Sequence, residues 1–363
     1  MQEVLQAVCD FVDGGFAAPS WGDLAAGARP PQRTRALPEL DDDEQEQELG
    51  EFTRGWQRAA SVESDAAEFG SFLTSLDPTS RALLLSQAGP FAGRVFTAVP
   101  TALEFTVPSH LFRVLLLRRL RLPLPLCARR CRCGRDFDVL GDHRSSCSRA
   151  GVLGPRGYPL EVAAARVCRE AGARVSENVF LRDLNLDVPV ADGRRLEVVA
   201  SGLPLWSGTQ LAVDTTLVCP VRASGEPRRT ADRVPGVALR AAVRRKRRYT
   251  YPELLRARRC KLLVLAFEVG GRWDQEAVAF VRKLARRQAQ QRPWWLHSSV
   301  TYALVYRWSA LLAVTAQRSF AASLLHLPAA FTATCGEVLT VDDVVVDARF
   351  ARAPDVSRVP LRG

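Results

Sequence analysis

RRLEVVASGLPLWSGTQLAVDTTLVCP, residues 194–220, is two β-type runs joined by a turn-rich segment. RRLEVVAS and QLAVDTTLVCP are dense in aliphatic and β-branched residues, and Pro220 stops the second run. SGLPLWSGT, with two glycines, supplies the turn between them. Each run carries one acid in its interior, Glu197 in the first and Asp214 in the second. Side chains of one strand face recur every second residue. A hairpin of these strands therefore projects both carboxylates from one face, with Thr216 beside Asp214. Charged residues rarely lie buried in strand interiors unless paired or metal-bound, and two on neighbouring strands repel without a cation. Mg²⁺ fits such a pair, because it takes carboxylate oxygens, keeps several waters and acidifies an attacking water. Taken singly, each acid also reads as an edge-strand residue facing solvent.

The flanking segments extend the pattern outward. YPLEVAAARVCREAGARV reads as a helix that starts after Pro159 and ends near Gly172, and ARVSENVFL as a strand. Beyond Pro220, ADRVPGVALRAAVRRKRRY returns to helix after Pro235, CKLLVLAFEV is a buried strand, and two further helices follow from 274 to 325. The order is helix, three strands, helix, strand, then helices, so residues 158–330 form a compact α/β domain. Glu161, early in the first helix, can complete a metal shell. Lys246, in the helix after the third strand, can balance charge on a phosphodiester or position a water.

Upstream, CRCGRDFDVLGDHRSSC (131–147) spaces Cys131, Cys133, His143 and Cys147 around a loop with turn formers at Gly134, Gly141 and Asp142. Zinc takes four nitrogen and sulfur ligands tetrahedrally, and this short segment can supply all four. No ligand position is left open, so the site reads as structural. Ordinary buried thiols beside a surface histidine are the alternative, and Cys127 is a competing ligand. This zinc loop covers 127–157. Residues 51–126 read as a helical region containing Leu83, Leu84, Leu85 and HLFRVLLLRRLRLPLPL, ended by Pro123 and Pro125. Residues 1–50 form an acidic, partly disordered segment with a short amphipathic helix at 1–16, four prolines and the run DDDEQEQE. Residues 331–363 form a valine-rich tail.

Composition and charge narrow the function classes. The 363 residues are 47% hydrophobic and 25% charged, enough for two or so domains with a real core. Nine cysteines scattered along the chain, and an N-terminus without a basic signal region, point to a reducing compartment rather than a disulfide framework. Apolar runs are interrupted before membrane-spanning length, as by Arg307 and Arg318, so no membrane partner is expected. Residues 1–70 carry fifteen Asp/Glu against five Arg, whereas residues 227–292 carry nineteen Lys/Arg against five Asp/Glu. So dense a basic block is the footprint of nucleic-acid binding, and Arg244, Arg245, Arg247, Arg248 and Tyr249 are its candidate DNA contacts. A solvated helix face in an arginine-biased chain is the bland alternative, since only three of the fifty basic residues are Lys. That bias accounts for Arg over Lys, not for the one-sided charge.

The run CRCG…GDHRSSC…EVAAARVCREAG…RRLEVV…LAVDTTLVCPV…RRKRRYTYPEL resembles the C-terminal region of reverse-transcriptase-like proteins of non-LTR retrotransposons. The likeness is to those of the restriction-like-endonuclease type, above all the versions in GC-rich protist genomes such as those of dinoflagellates, and it covers roughly residues 75–330. It implies a Cys-Cys-His-Cys zinc knuckle followed by a nuclease of the PD-(D/E)XK, restriction-endonuclease-like fold. The implied function is metal-dependent hydrolysis of phosphodiester bonds in target DNA, with structural Zn²⁺, catalytic Mg²⁺ or Mn²⁺, and a nuclear location. DNA is the implied partner, with RNA a further possibility, and oligomeric state is left open. Glu197 then stands where the family's first strand motif has Asp, although the family's Pro is replaced by Arg194-Arg195-Leu196. Asp214 stands at the second acid. Thr216 occupies the place where simpler enzymes of this fold keep Lys, so Lys246 would be a migrated lysine, with Tyr249 and Tyr251 at the aromatic position after it. A polymerase is not expected, because the only adjacent Asp pair outside the N-terminal segment is Asp342-Asp343. The competing reading is a zinc-containing nucleic-acid-binding protein whose catalysis has decayed. A purely structural α/β protein would leave the strand carboxylates and the one-sided charge without purpose.

Overall fold

Four strands make one sheet in the order β1 (Arg174–Phe180), β2 (Arg195–Ser201), β3 (Gln210–Val218), β4 (Cys260–Glu268). β1–β2 and β2–β3 are antiparallel, and β3–β4 are parallel, with their connection made through a helix. The computed structural model describes residues 68–126, 130–184 and 186–327. The expected helix at 1–16, the acidic run, Cys127 and the valine-rich tail lie outside the described residues. The chain divides into two compact units, Met1–Asp77 and Pro78–Gly363. Of the first, residues 68–75 are helical. The second unit carries the sheet and the helices around it.

Its helices are α1 (Pro78–Leu85), α2 (Arg94–Thr97), α3 (Ser109–Arg119), α4 (Asp142–Ser146), α5 (Leu153–Glu170), α6 (Val237–Arg245), α7 (Gln275–Ala289) and α8 (His297–Leu324). One sheet face packs α5, α7 and α8 through Val198, Leu211, Val213, Leu263 and Leu265. The other packs α6 and the segment after it through Leu196, Ala212, Leu262 and Val264. The fold is therefore mixed α/β, with helices on both sheet faces. β3 and β4 are buried along most of their length, which is why they read as continuous apolar runs rather than alternating ones.

α5 begins at Leu153, six residues ahead of the start expected from Pro159, and Pro159 lies inside the helix. Tertiary contacts outweigh the proline penalty here. Arg156, buried in the first turn, donates to the carbonyls of Ser145 (2.8 Å) and Arg144 (3.0 Å) and to Ser323 Oγ (2.7 Å). This ties α5 to α4 and α8. At its other end Glu170 accepts from Arg166, from Arg307 (2.8 and 2.9 Å) and from Trp308 Nε1 (3.0 Å). A buried carboxylate is tolerated when it is this fully hydrogen-bonded. The helix carrying Glu161 is thus fixed at both ends. No helix among the described residues is long and apolar enough to cross a membrane.

Candidate functional site

The β2–β3 ladder ends at Val198↔Val213. Continued by one residue, its register would set Glu197 opposite Asp214. Instead, Glu197 Oε2 accepts the backbone N–H of Thr215 at 2.5 Å, and the side chain takes the place of the next ladder bond. The distortion is visible on β2 itself. Leu196 and Val198, two residues apart, pack into opposite sheet faces. On the far side, Asn178 of β1 has a left-handed φ of 54° where it would pair with Glu197. The strands part where the two acids lie, and a cavity of about 380 Å³ opens there.

Asp214 is fully buried. Lys246 Nζ donates to its Oδ1 at 3.0 Å and lies 2.9 Å from Oδ2, and Tyr251 Oη is 3.1 Å from Oδ1. Lys246 reaches inward because α6 ends in a π-helical turn, Lys246–Thr250, which brings Tyr251 round to the same carboxylate. Glu161, Glu197 and Lys246 line the cavity together with Arg156, Arg228 and Arg245. Of the residues expected from the sequence, Glu161, Glu197, Asp214 and Lys246 converge. Tyr251, not Tyr249, makes the contact, and Tyr249 stays 79% exposed.

The four expected DNA-contact arginines do not share one face. Arg245 lines the acidic cavity, whereas Arg244, Arg247 and Arg248 line a second one beside Asp274 and Glu276, where Arg247 pairs with Glu276. Arg156 and Arg228 went unseen in the sequence. Arg228 is far from the basic block's centre in sequence, and its Nε is anchored to the Cys219 carbonyl at the end of β3.

The electrostatics of the cluster follow from burial. Desolvation, then the negative charge of Asp214 and Glu161, pushes the Glu197 carboxyl up to about 8. Burial also raises Glu161, with Asp214 adding to it, and burial raises Asp214 against the pull of Lys246. In the metal-free protein Glu197 therefore stays protonated in the fold between about 4.5 and about 8, whereas in the unfolded chain it has already ionised. The native state binds more protons in this window, so stability is expected to fall as pH rises through it. Thermal unfolding across that range checks the slope, and Glu197→Gln should flatten it.

A second cluster sits beside the cavity. Single ligand atoms of Cys131, Cys133, His143 and Cys147 lie within 4.8 Å of one another, and three of the four residues are buried. Among the described residues, no other group of three or more His, Cys, Asp or Glu meets that spacing, so the carboxylates of the cleft are more open. Cys131 and Cys147 Sγ are 3.8 Å apart, and Cys133 Sγ is 3.2 Å from His143 Nε2. Two sulfurs each ~2.3 Å from a tetrahedral ion are themselves about 3.8 Å apart, so this donor set could hold a metal such as zinc. His143 is buried, and its Nδ1 lies 2.9 Å from the Ala223 carbonyl. Since a carbonyl can only accept, Nδ1 carries the proton and Nε2 is left free to ligate. Asp138 accepts the backbone N–H groups of Asp142 (2.9 Å) and His143 (2.7 Å), which sets α4 in place. The Arg135 backbone N–H is the main cause that draws the Cys133 thiol down to about 7, while burial pushes Cys147 up. Cys127, the competing ligand, lies outside the described residues.

The two clusters are physically joined. Ser145, Ser146 and Ser148 of the knuckle line the acidic cavity. Ser146 Oγ donates to the Val221 carbonyl at 2.9 Å, and His143 holds Ala223, both on the segment leaving β3. No protein-family model, no curated protein and no solved structure matches the chain.

Proposed function

We propose that this chain is a metal-dependent DNA endonuclease of restriction-like type and retrotransposon origin, acting in the nucleus, with a structural zinc in its knuckle. The observation that carries the reading is the convergence of Glu161, Glu197 and Lys246, from α5, β2 and the turn after α6, on one arginine-lined cavity, with Asp214 of β3 buried behind Lys246. The element order helix, three strands, helix, strand supports it. Two acids and three arginines in one cavity, with a third acid buried behind Lys246, suit a cation and a phosphodiester together, whereas a site for neutral metabolites needs neither.

The residues fit a hard divalent cation. Asp214 is held at both oxygens by the Lys246 ammonium, which the ion would displace from Oδ2, and Glu197 spends only Oε2 on the backbone. Asp214 and Glu197 would hold Mg²⁺ or Mn²⁺ with Glu161 completing the shell, and the ion would polarise the phosphoryl oxygen and acidify water. Lys246 would balance the charge that grows on the phosphoryl oxygens as water adds to phosphorus. Arg228 and Arg245 would hold the phosphate in the cavity, and Arg156, tied to Ser145, Arg144 and Ser323, would add positive charge to its wall.

One observation favours the decayed, binding-only reading. Lys246 already engages both oxygens of Asp214, which is how a nuclease that no longer uses a metal would satisfy this carboxylate. Supercoiled plasmid separates the two. Nicking or linearisation is expected only with added Mg²⁺ or Mn²⁺, and Glu197→Gln should slow it at least ~100-fold. Salt-sensitive retention of the plasmid with no metal-dependent product would leave the binding-only reading standing.

A further inference from the structure

We infer that the turn between α7 and α8 is a stacking platform for unpaired nucleotides of single-stranded nucleic acid, a site separate from the acidic cavity. Trp294 and Trp295 stand side by side in a 3₁₀ turn that follows Pro293, and they are 77% and 65% exposed. In the second turn of α8, Tyr302 is 67% exposed and stacks on Tyr306 at 6.5 Å and 26°. Nothing in the cavity's chemistry uses these rings. α8 has 28 residues and rises ~1.5 Å per residue, so it is about 40 Å long. Its Ser323 end holds Arg156 at the cavity, and the tryptophans lie at the opposite end.

The platform is preformed. The His297 ring is 2.8 Å from the Arg292 carbonyl across the turn. The Tyr306 ring lies 4.8 Å beneath the Arg94 guanidinium, and its hydroxyl accepts the Val99 N–H at 2.9 Å. The tryptophan rings sit 5.9 Å apart at 83°, so they present faces in two directions instead of covering each other. Tyr306, held in this way, and Tyr302 stacked on it pay little ordering entropy when a flat ligand arrives.

Three features select the occupant. Every exposed large hydrophobic residue after Leu255, among the described residues, is aromatic. Exposed Val99 meets the Tyr306 hydroxyl through its N–H, and one such residue falls short of the continuous aliphatic rim that a membrane or a second copy of the chain would favour. There is no Asp or Glu between Glu276 and Glu337, whereas Arg282, Lys283, Arg286, Arg287 and Arg292 precede the turn. Pro293 and Leu296 flank the rings directly, and Gln290, Gln291, Ser298 and Ser299 lie just beyond them. Aromatic faces for bases and cations for phosphates are what sequence-tolerant single-strand binding requires, and duplex DNA keeps its bases stacked away from such rings. Single-stranded DNA and RNA share this chemistry.

The test uses the full chain without added divalent ions. Labelled dT₂₀, U₂₀ and a 20-base-pair duplex are titrated against wild type, Trp294→Ala/Trp295→Ala and Trp294→Phe/Trp295→Phe. Both single strands should bind wild type and quench its tryptophan emission. The alanine pair should weaken single-strand binding roughly 5- to 100-fold per ring, and the phenylalanine pair should restore most of it. Duplex affinity and any plasmid cleavage should be unchanged, so a failed cleavage assay does not touch this inference. A difference between dT₂₀ and U₂₀ would identify which strand the site prefers. Equal single-strand affinity in wild type and the alanine pair overturns the proposal. So does loss of self-association in the alanine pair, or loss of binding to phosphatidylserine vesicles, without loss of oligonucleotide binding. Should the alanine pair misfold, Tyr302→Ala takes its place under the same criteria.

Discussion

Asp214→Asn is expected to abolish Mg²⁺-dependent cleavage while DNA binding stays the same or tightens. The substitution keeps the volume of a fully buried side chain and removes one negative charge from behind the wall of a cavity that must admit phosphate. Its former partner Lys246 is 21% exposed and can turn to solvent. The reverse substitution, Lys246→Ala, is harsher on the fold. It strands a carboxylate that burial already disfavours, and breaking a buried pair this way costs about 3–5 kcal/mol. It should also cut the cleavage rate by about 10²–10³, the usual cost of losing one electrostatic stabiliser. Added Mg²⁺ gives a readout independent of activity. An ion that binds only the native state raises its unfolding temperature, and the rise should be larger in Lys246→Ala, where no ammonium competes for Asp214. Equal cleavage by wild type and Asp214→Asn would expose a contaminating nuclease. No Mg²⁺ effect on stability in either protein would leave a binding protein whose cleft is satisfied by its own lysine.

The elements around the site were legible because each obeys a local rule. β2, β3 and β4 are bounded by turn formers and filled with aliphatic and β-branched residues, and Pro235 opens α6 just before Val237. The acids stood out because a charge inside an apolar strand needs a partner. What stayed hidden depended on tertiary contacts. Nothing local shows that Arg156 pulls the start of α5 back to Leu153, past a proline that should have delayed it. The split of the basic block is equally non-local. Arg245 and Arg244 are adjacent in sequence, so on α6 they project about 100° apart and reach different cavities. The sequence offers Tyr249 and Tyr251 alike, and the π-turn that selects Tyr251 has no reliable sequence signature. Asp142 read as a turn former. In the fold it clamps the knuckle onto α3, taking Arg121 through both oxygens (2.9 and 2.6 Å) and Arg118 at 2.6 Å.

Stripping the knuckle of its metal is expected to disable the cleft without melting the sheet. About one zinc per chain should co-purify, and Cys147→Ser should lower that content to near zero. Asp142 and Arg156 anchor α4 without an ion, but an ion is what would hold the Cys131–Cys133 turn against His143 and Cys147. Structural zinc in a short loop contributes on the order of 10–16 kcal/mol of apparent binding free energy, which is folding free energy for that loop. The consequence spreads through two hydrogen bonds. His143 Nδ1 to Ala223 and Ser146 Oγ to Val221 hold the segment that leaves β3, and that segment leads to Arg228. Ser145, Ser146 and Ser148 form part of the cavity wall and would be lost with the knuckle. Hydrogen exchange after treatment with a zinc-selective chelator should show lost protection at 131–147 and 219–228, with β3 and β4 still protected by their parallel ladder. DNA binding at the cleft should weaken in the same sample, and Mg²⁺ added back should not restore it, whereas Zn²⁺ should. Uniform loss of protection across the sheet would mean that the knuckle is part of the folding core. Unchanged exchange at 219–228 would mean that it is a separate module leaning on the cleft, and the link through Ala223 and Val221 would be incidental.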